Sequence, residues 1–356
     1  MRKYYNSLKM EPDKILEKLK ASDKLSEKFF YGFVFATRAV IIFAFCVLFV
    51  STLTHFFGEE NQPLGVVLVV MVLTLRFVHF GYCITDTLIN LAIMLAVFTF
   101  APALSLVAPA WSVFFIHIIA MFILLLVACQ KPQMGLGGLF GFSYCYLVGN
   151  AVTGELLVQR AEMALVGFII CGAIMVYEHR HKDRKVRFRH LLFSFDFKSA
   201  VSQWQVRMAV GVGFILALGQ VLGIPRFMWM GFACSTMLAR FPLSKNTHER
   251  FIERIIGIVV GSVGFMILCL IFPNMSMDLI GMLGGIVLGY FARYTWKTII
   301  ICFGALSVAA PLYGVAGASI MRIVNNVFGA VFAMLYARFY DWLMVQRMVP
   351  QEEAKK

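Results

Sequence analysis

The sequence predicts an all-α polytopic membrane protein of about 12 transmembrane helices, arranged as two parallel six-helix repeats. Three observations predict it. Composition comes first: 60% of residues are hydrophobic, 14% are charged and the mean hydropathy is +0.81, whereas a soluble domain is typically about a quarter charged. The second is a basic stretch at mid-chain, His179 to His190 (HRHKDRKVRFRH), which is too polar for a bilayer and has apolar runs on both sides. The third is that the pattern of the first half returns in the second.

Residues 1–28 read as a basic amphipathic segment. Lys9, Lys14, Lys18, Lys20, Lys24 and Lys28 are interleaved with Ile15, Leu16, Leu19 and Leu25, a spacing suited to a helix on the cytoplasmic membrane surface. The segment is charged rather than a short basic start followed by an apolar core, so the first span is expected to serve as the targeting signal.

Residues 29–178 form the first repeat, with spans expected near 31–50, 64–80, 84–104, 110–129, 134–150 and 161–177. Residues 179–200 are the hinge. Its six cations in eleven positions (Arg180, Lys182, Arg184, Lys185, Arg187, Arg189) resist translocation and place it in the cytoplasm. Residues 201–342 form the second repeat, with spans near 207–224, 227–241, 252–272, 277–292, 298–315 and 320–341; residues 343–356 are a cytoplasmic tail.

Charge counting tests this layout, because six spans per half bring both termini and the hinge to one side. Of 32 Lys and Arg, only Arg160, Arg226 and Arg322 fall on or near the other face, together with turns such as GEENQP (58–63) and FPNMSM (272–277). That is the asymmetry expected of a membrane protein with a cationic interior side. The net charge of +13 is explained by orientation and anionic headgroups, since the basic residues flank apolar spans and build no module for nucleic acid.

The repeat rests on matched anchors. Ala36-Thr37-Arg38-Ala39 pairs with Gln205-Val206-Arg207-Met208, and Leu73-Thr74-Leu75-Arg76-Phe77 pairs with Met237-Leu238-Ala239-Arg240-Phe241. Phe140-Gly141 and Val152-x-Gly154 pair with Phe303-Gly304 and Val315-x-Gly317. Six spans per repeat give both copies the same orientation, as in parallel repeats related by an axis along the membrane normal.

No phosphate-binding, nucleophile-elbow or zinc-protease motif is present, so neither catalysis nor a cofactor is expected. The eight cysteines lie in or beside apolar runs without CxxC or Cys/His spacing, and read as small hydrophobes rather than metal ligands. What remains is a set of intramembrane polar groups, which are costly in hydrocarbon. Arg38, Arg76, Arg207, Arg240 and Arg254 fall at or inside cytoplasmic span ends, and Arg322 inside the opposite face. Two readings stand: snorkelling arginines that set topology, or a cationic path in which guanidinium groups bind carboxylate through paired hydrogen bonds. Short second spans ending in Arg-Phe favour the path, since paired short spans mark transporter sites. On this reading Arg240 and Arg254, flanking FPLSKNTHER (241–250), bind an anion, with Arg76 as the counterpart of Arg240.

The acidic residues in or near spans are Asp86, Glu162, Glu253, Asp278 and Asp341. Asp86 either pairs with an arginine or carries a coupling proton, and His117 is either a satisfied core histidine or a proton relay. Gly257, Gly261 and Gly264, and then Gly281, Gly285 and Gly289, form small-residue packing faces. Trp229 is expected as an interfacial anchor. Asn325 and Asn326, with Gly329, bring amides into the last span, where they need partners; Asn325 joins the arginines as a candidate ligand.

Trp229-Met230-Gly231-Phe232 through Arg240, then Arg250, Arg254, Gly257 and Gly261, resembles the fusaric acid resistance protein-like family. That family's pattern is a Trp-led span, a short loop and R-x3-R-x2-G-x3-G. Arg322 through Gly329-Ala330 is similar to its closing R-x6-G-A segment. The wider grouping includes bacterial aromatic acid exporters and plant aluminium-activated malate transporters. In the first half, Asp86-Thr87-Leu88-Ile89-Asn90 stands in place of the Arg-x2-Gly element, so no arginine role carries over there. The large soluble domain that many such exporters carry is not expected from this chain. The resemblance implies a transporter of small organic, often aromatic, carboxylates, and the leading expectation is efflux across the cell membrane driven by the proton gradient. A passive organic-anion channel and a non-transporting scaffold are the alternatives. The partners expected are the small organic anion and the lipid bilayer, with a homo-oligomer left open.

Overall fold

The computed structural model describes residues 4–5, 7, 12–22, 24–189, 196–197, 199–240, 247–291 and 293–348. Among these residues there are thirteen α-helices and no strand. The first, α1 (Pro12–Ala21), is the amphipathic helix expected near the N-terminus. It buries Ile15 and sets the Lys18 ammonium 5.9 Å from the centre of the Tyr31 ring.

Twelve helices follow: α2 (Leu25–Phe57), α3 (Gln62–Leu75), α4 (Ile84–Val107), α5 (Ala110–Ala128), α6 (Leu136–Val148), α7 (Glu155–His179), α8 (Ala200–Val221), α9 (Met228–Leu238), α10 (Thr247–Ile271), α11 (Met277–Leu288), α12 (Tyr294–Tyr313) and α13 (Val315–Met348). Local chemistry sets several boundaries. Ser199 accepts from the Ser202 amide to open α8, and Ser276 accepts from the Leu279 amide to open α11. Gly314, at φ 71°, separates α12 from α13 with a backbone conformation that a side chain would strain.

Each expected span falls on one of these twelve helices, but the expectation of twelve full spans is corrected by their lengths. Eight (α2, α4, α5, α7, α8, α10, α12 and α13) are long and apolar enough to cross a membrane. The others, α3, α6, α9 and α11, have 14, 13, 11 and 12 residues. At 1.5 Å per residue they reach roughly 16–21 Å, against about 30 Å of hydrocarbon. The second helix is short in both halves, as expected. The other short helix is the fifth of the first half and the fourth of the second.

Two compact units account for the chain. The first comprises Met1–Phe49 and Glu253–Ile323. Within it α11 packs on α12 through Gly281 and Gly284, and on α2 through Gly285 and Gly289, which face Phe43 and Ala39. A Cβ on Gly261 of α10 would lie 2.7 Å from the Ile299 carbonyl oxygen of α12, so only glycine allows that approach. Both predicted glycine faces are therefore helix-packing surfaces.

The second unit comprises Val50–Ile252 and Val324–Lys356. Its core holds Trp204, Trp229, Tyr144, Phe80, Phe98 and Phe140. Gly213 brings α8 onto the backbone of α5 at Ile118, and Gly141 and Gly231 bring α6 and α9 together. Trp229 lies in this core rather than at an exposed interface, because α9 is covered on nearly every side. Large apolar side chains such as Ile89, Phe100, Leu104 and Trp111 remain outward-facing, as lipid-facing helices require.

Candidate functional site

A half-length helix buried in protein leaves its end carbonyls without water, so side chains must supply donors. At the end of α9, Trp204 Nε1 donates to the Leu238 carbonyl at 3.1 Å, and Arg207 Nη2 donates to the Leu238 and Arg240 carbonyls at 3.5 and 3.4 Å. Arg207 also lies 3.7 Å from an Asp341 oxygen. Before α9, Asn325 Nδ2 donates to the Pro225 and Arg226 carbonyls at 2.9 and 3.2 Å. Arg207 and Asn325, both expected on the anion path, thus hold the two ends of α9.

Arg160, which sequence reasoning set on the far face, is fully buried and donates to Asn61 Oδ1, the Asn150 carbonyl and the Glu60 carbonyl, all at 2.8–2.9 Å. It ties the start of α3 to the end of α6. The end of α5 is served likewise: Gln205, Tyr82 and Asn90 donate to the carbonyls of Leu125, Leu126 and Val127.

Arg76 and Arg240 both follow the short second helices, as expected. Arg76 is exposed, with its guanidinium 5.6 Å from the centre of the Phe77 ring, and Arg240 is half-buried. Residues 241–246 of the loop between Arg240 and Arg254 lie outside the described residues.

Asp86 opens α4, where its carboxylate accepts from the Phe188 amide at 2.7 Å and lies 3.4 Å from Arg187 Nη1. Its arginine partner belongs to the hinge rather than to the expected path. Asp183 of the hinge meets Lys131 Nζ at 2.8 Å and His79 Nδ1 at 2.9 Å, and the Cys83 amide donates to the Val186 carbonyl at 2.9 Å. The described part of the hinge is therefore stitched to the loops before α4 and after α5.

His117 of α5 is buried, with Nδ1 2.8 Å from the Tyr144 hydroxyl on α6 and Nε2 2.8 Å from Gln220 Oε1 on α8. Gln220 Nε2 continues the chain to the Ser105 carbonyl of α4 at 2.8 Å. The sequence flagged His117; it could not show the four helices that this chain joins.

The first unit holds the other arginines. Arg38 lines a cavity of about 250 Å³ with Phe35, Ile42, Phe43 and Gly285. Arg254 of α10 is 6% exposed and donates to the Tyr294 hydroxyl at 3.0 Å, and Arg322 of α13 is 2% exposed and bonds to Cys302 of α12. The two guanidinium groups act on each other electrostatically. Around them, Ser262 lies two turns along α10 from Arg254, Ser319 lies one turn from Arg322, and Thr298 and Cys302 occupy one face of α12. Sequence placed Arg254 and Arg322 near opposite faces; the fold buries both and gives each a side-chain partner on α12.

No curated protein and no solved structure matches this chain. The stretch that begins in α8, spans α9 to α12 with Arg240 and Arg254, and ends in α13 beyond Arg322 and Asn325, residues 213–336, matches the family model of fusaric acid resistance protein-like proteins.

Proposed function

We propose that this chain is a membrane exporter of small organic anions, aromatic carboxylates among them, with Arg254 and Arg322 as its cationic centre. One observation carries the reading: two buried arginines, each bonded to a side chain of α12, lie inside the family-matched stretch. Arginine does not shed its proton to relieve repulsion, so a carboxylate entering between the two groups lowers the energy of both. It finds charge-assisted donors there. The Phe-lined cavity at Arg38 supplies apolar walls and one cation for an aromatic acid. Arg76 and Arg240 serve as outlying cations, while Arg207 and Asn325 act by holding α9.

Export is coupled to the proton gradient on this reading, with His117 and Asp86 as the groups to examine. The architecture goes with it: two parallel six-element repeats, residues 29–178 and 201–342, joined by a cytoplasmic hinge. Support comes from the short second helices, which end beside Arg76 and Arg240 at corresponding positions.

The test is flux of a labelled aromatic acid from proteoliposomes, with and without a pH gradient. Losing one charge-assisted contact costs about 1.5–3 kcal/mol, so Arg254→Gln and Arg322→Gln should each weaken apparent affinity roughly tenfold to hundredfold. Lys185→Gln, on the exposed hinge, should leave flux unchanged. Wild-type flux in both well-folded arginine variants overturns the assignment of the site. Flux indifferent to the pH gradient makes the protein a passive anion channel, and absence of flux makes it a scaffold.

A further inference from the structure

A cavity of about 500 Å³ opens where the hinge crosses the start of α4, lined by Asp86, Ile89, Asn90, Arg187, Phe188 and Arg189. Its lining residues all belong to the second unit. Its chemistry is mixed in a particular way. Arg187 and Arg189 are exposed cations on the hinge, and the first amides of the 24-residue α4 add positive potential at its mouth. Asp86 contributes one carboxylate, already engaged by the Phe188 amide and Arg187. Asn90 is fully buried, and its Nδ2 is committed to the Val127 carbonyl at 3.1 Å. Its Oδ1 accepts no hydrogen bond among the described residues. The rim therefore offers two guanidinium groups.

We propose that this cavity binds the headgroup of an anionic phospholipid. Two arginines and one carboxylate leave a net charge of +1, which a phosphodiester neutralises and a zwitterionic headgroup does not. The phosphate takes charge-assisted bonds from Arg187 and Arg189. Ile89, 59% exposed in the second turn of α4, stands beside the cavity on the outward face of a helix able to cross the membrane. That places the acyl chains along α4 and the headgroup at its end, where basic residues meet anionic lipid. The lipid clamps the hinge to α4.

Native mass spectrometry of the full-length protein in detergent, titrated with phosphatidylglycerol, phosphatidylethanolamine and phosphatidylcholine of identical acyl chains, tests the site. Phosphatidylglycerol should bind at least tenfold more tightly than the other two. Arg187→Gln combined with Arg189→Gln should abolish that preference, and Lys185→Gln should keep it. Equal binding of the three lipids by the wild-type protein overturns the proposal, as does an unchanged preference in a folded double variant. If the double variant does not fold, the wild-type ranking decides alone. Displacement of the lipid by millimolar inorganic phosphate would identify the ligand as a free anion, which also overturns it.

Discussion

At the scale of single residues, the cations of this chain divide by what they touch. Arg160 and Arg207 donate to carbonyls at the ends of short helices, whereas Arg254 and Arg322 meet side chains of α12. Nothing in an arginine's sequence neighbourhood separates these fates, since a backbone carbonyl looks the same in every sequence. His79 shows how a residue's setting fixes its behaviour. Burial, and then Lys131 beside it, hold its imidazole below the ordinary histidine value despite the opposing pull of Asp183; Lys182 and His179 add to the depression. A depressed histidine resists charging in the folded state, so its contribution is intact above the ordinary value of about 6.5 and is lost as pH falls below it. Protection of the Cys83 amide, which bonds to the Val186 carbonyl, should therefore drop between pH 7.5 and 5.5 in hydrogen exchange. His79→Gln should flatten that dependence, and a protection factor constant with pH in the wild-type protein would refute it.

At the scale of elements, close packing and half-length helices are two sides of one arrangement. Small residues allow α10 and α11 to approach α12, and side-chain donors replace water at the ends of α3, α5, α6 and α9. Gly261→Ala should lower the thermal midpoint in detergent, because its methyl group meets the Ile299 carbonyl at 2.7 Å and overpacking costs about 1–3 kcal/mol. Gly304→Ala is the contrast: nothing lies within 4 Å of its Cβ position, and the loss of chain freedom in the unfolded state makes alanine neutral or stabilising by about 0.5–1 kcal/mol. Equal midpoints for the two variants would show that α10 and α12 do not pack as described. The glycine faces were readable because their spacing survives without coordinates. Trp229 was misjudged because an amphipathic ring suits an interface and a core equally well, and only the cover around α9 decides between them.

At the scale of the whole molecule, the distribution of cations makes a topological prediction. In cells expressing a variant with the native cysteines replaced, Lys185→Cys should react with a membrane-impermeant maleimide only after permeabilisation, while Glu59→Cys should react in intact cells. Labelling of Lys185→Cys from outside would invert the layout and remove the cytoplasmic hinge. The reading of both repeats as one orientation would survive such an inversion, because it needs only that the N-terminus and the hinge lie on the same side.

The sequence by itself determined the membrane class, the position of all twelve apolar helices, the glycine packing faces, and the polar residues that had to find partners. These follow from local quantities: hydropathy over a window, charge at span ends and spacing along a helix. The tertiary structure decided which helices are half-length, since a turn inside an apolar run costs little hydropathy. It also decided which polar groups serve helix ends and which come together. Arg254 and Arg322 are 68 positions apart, and no local pattern links them; α12 gives both a partner, Tyr294 for Arg254 and Cys302 for Arg322. Convergence of that kind belongs to packing, because the partner of a buried charge is fixed by which helices meet.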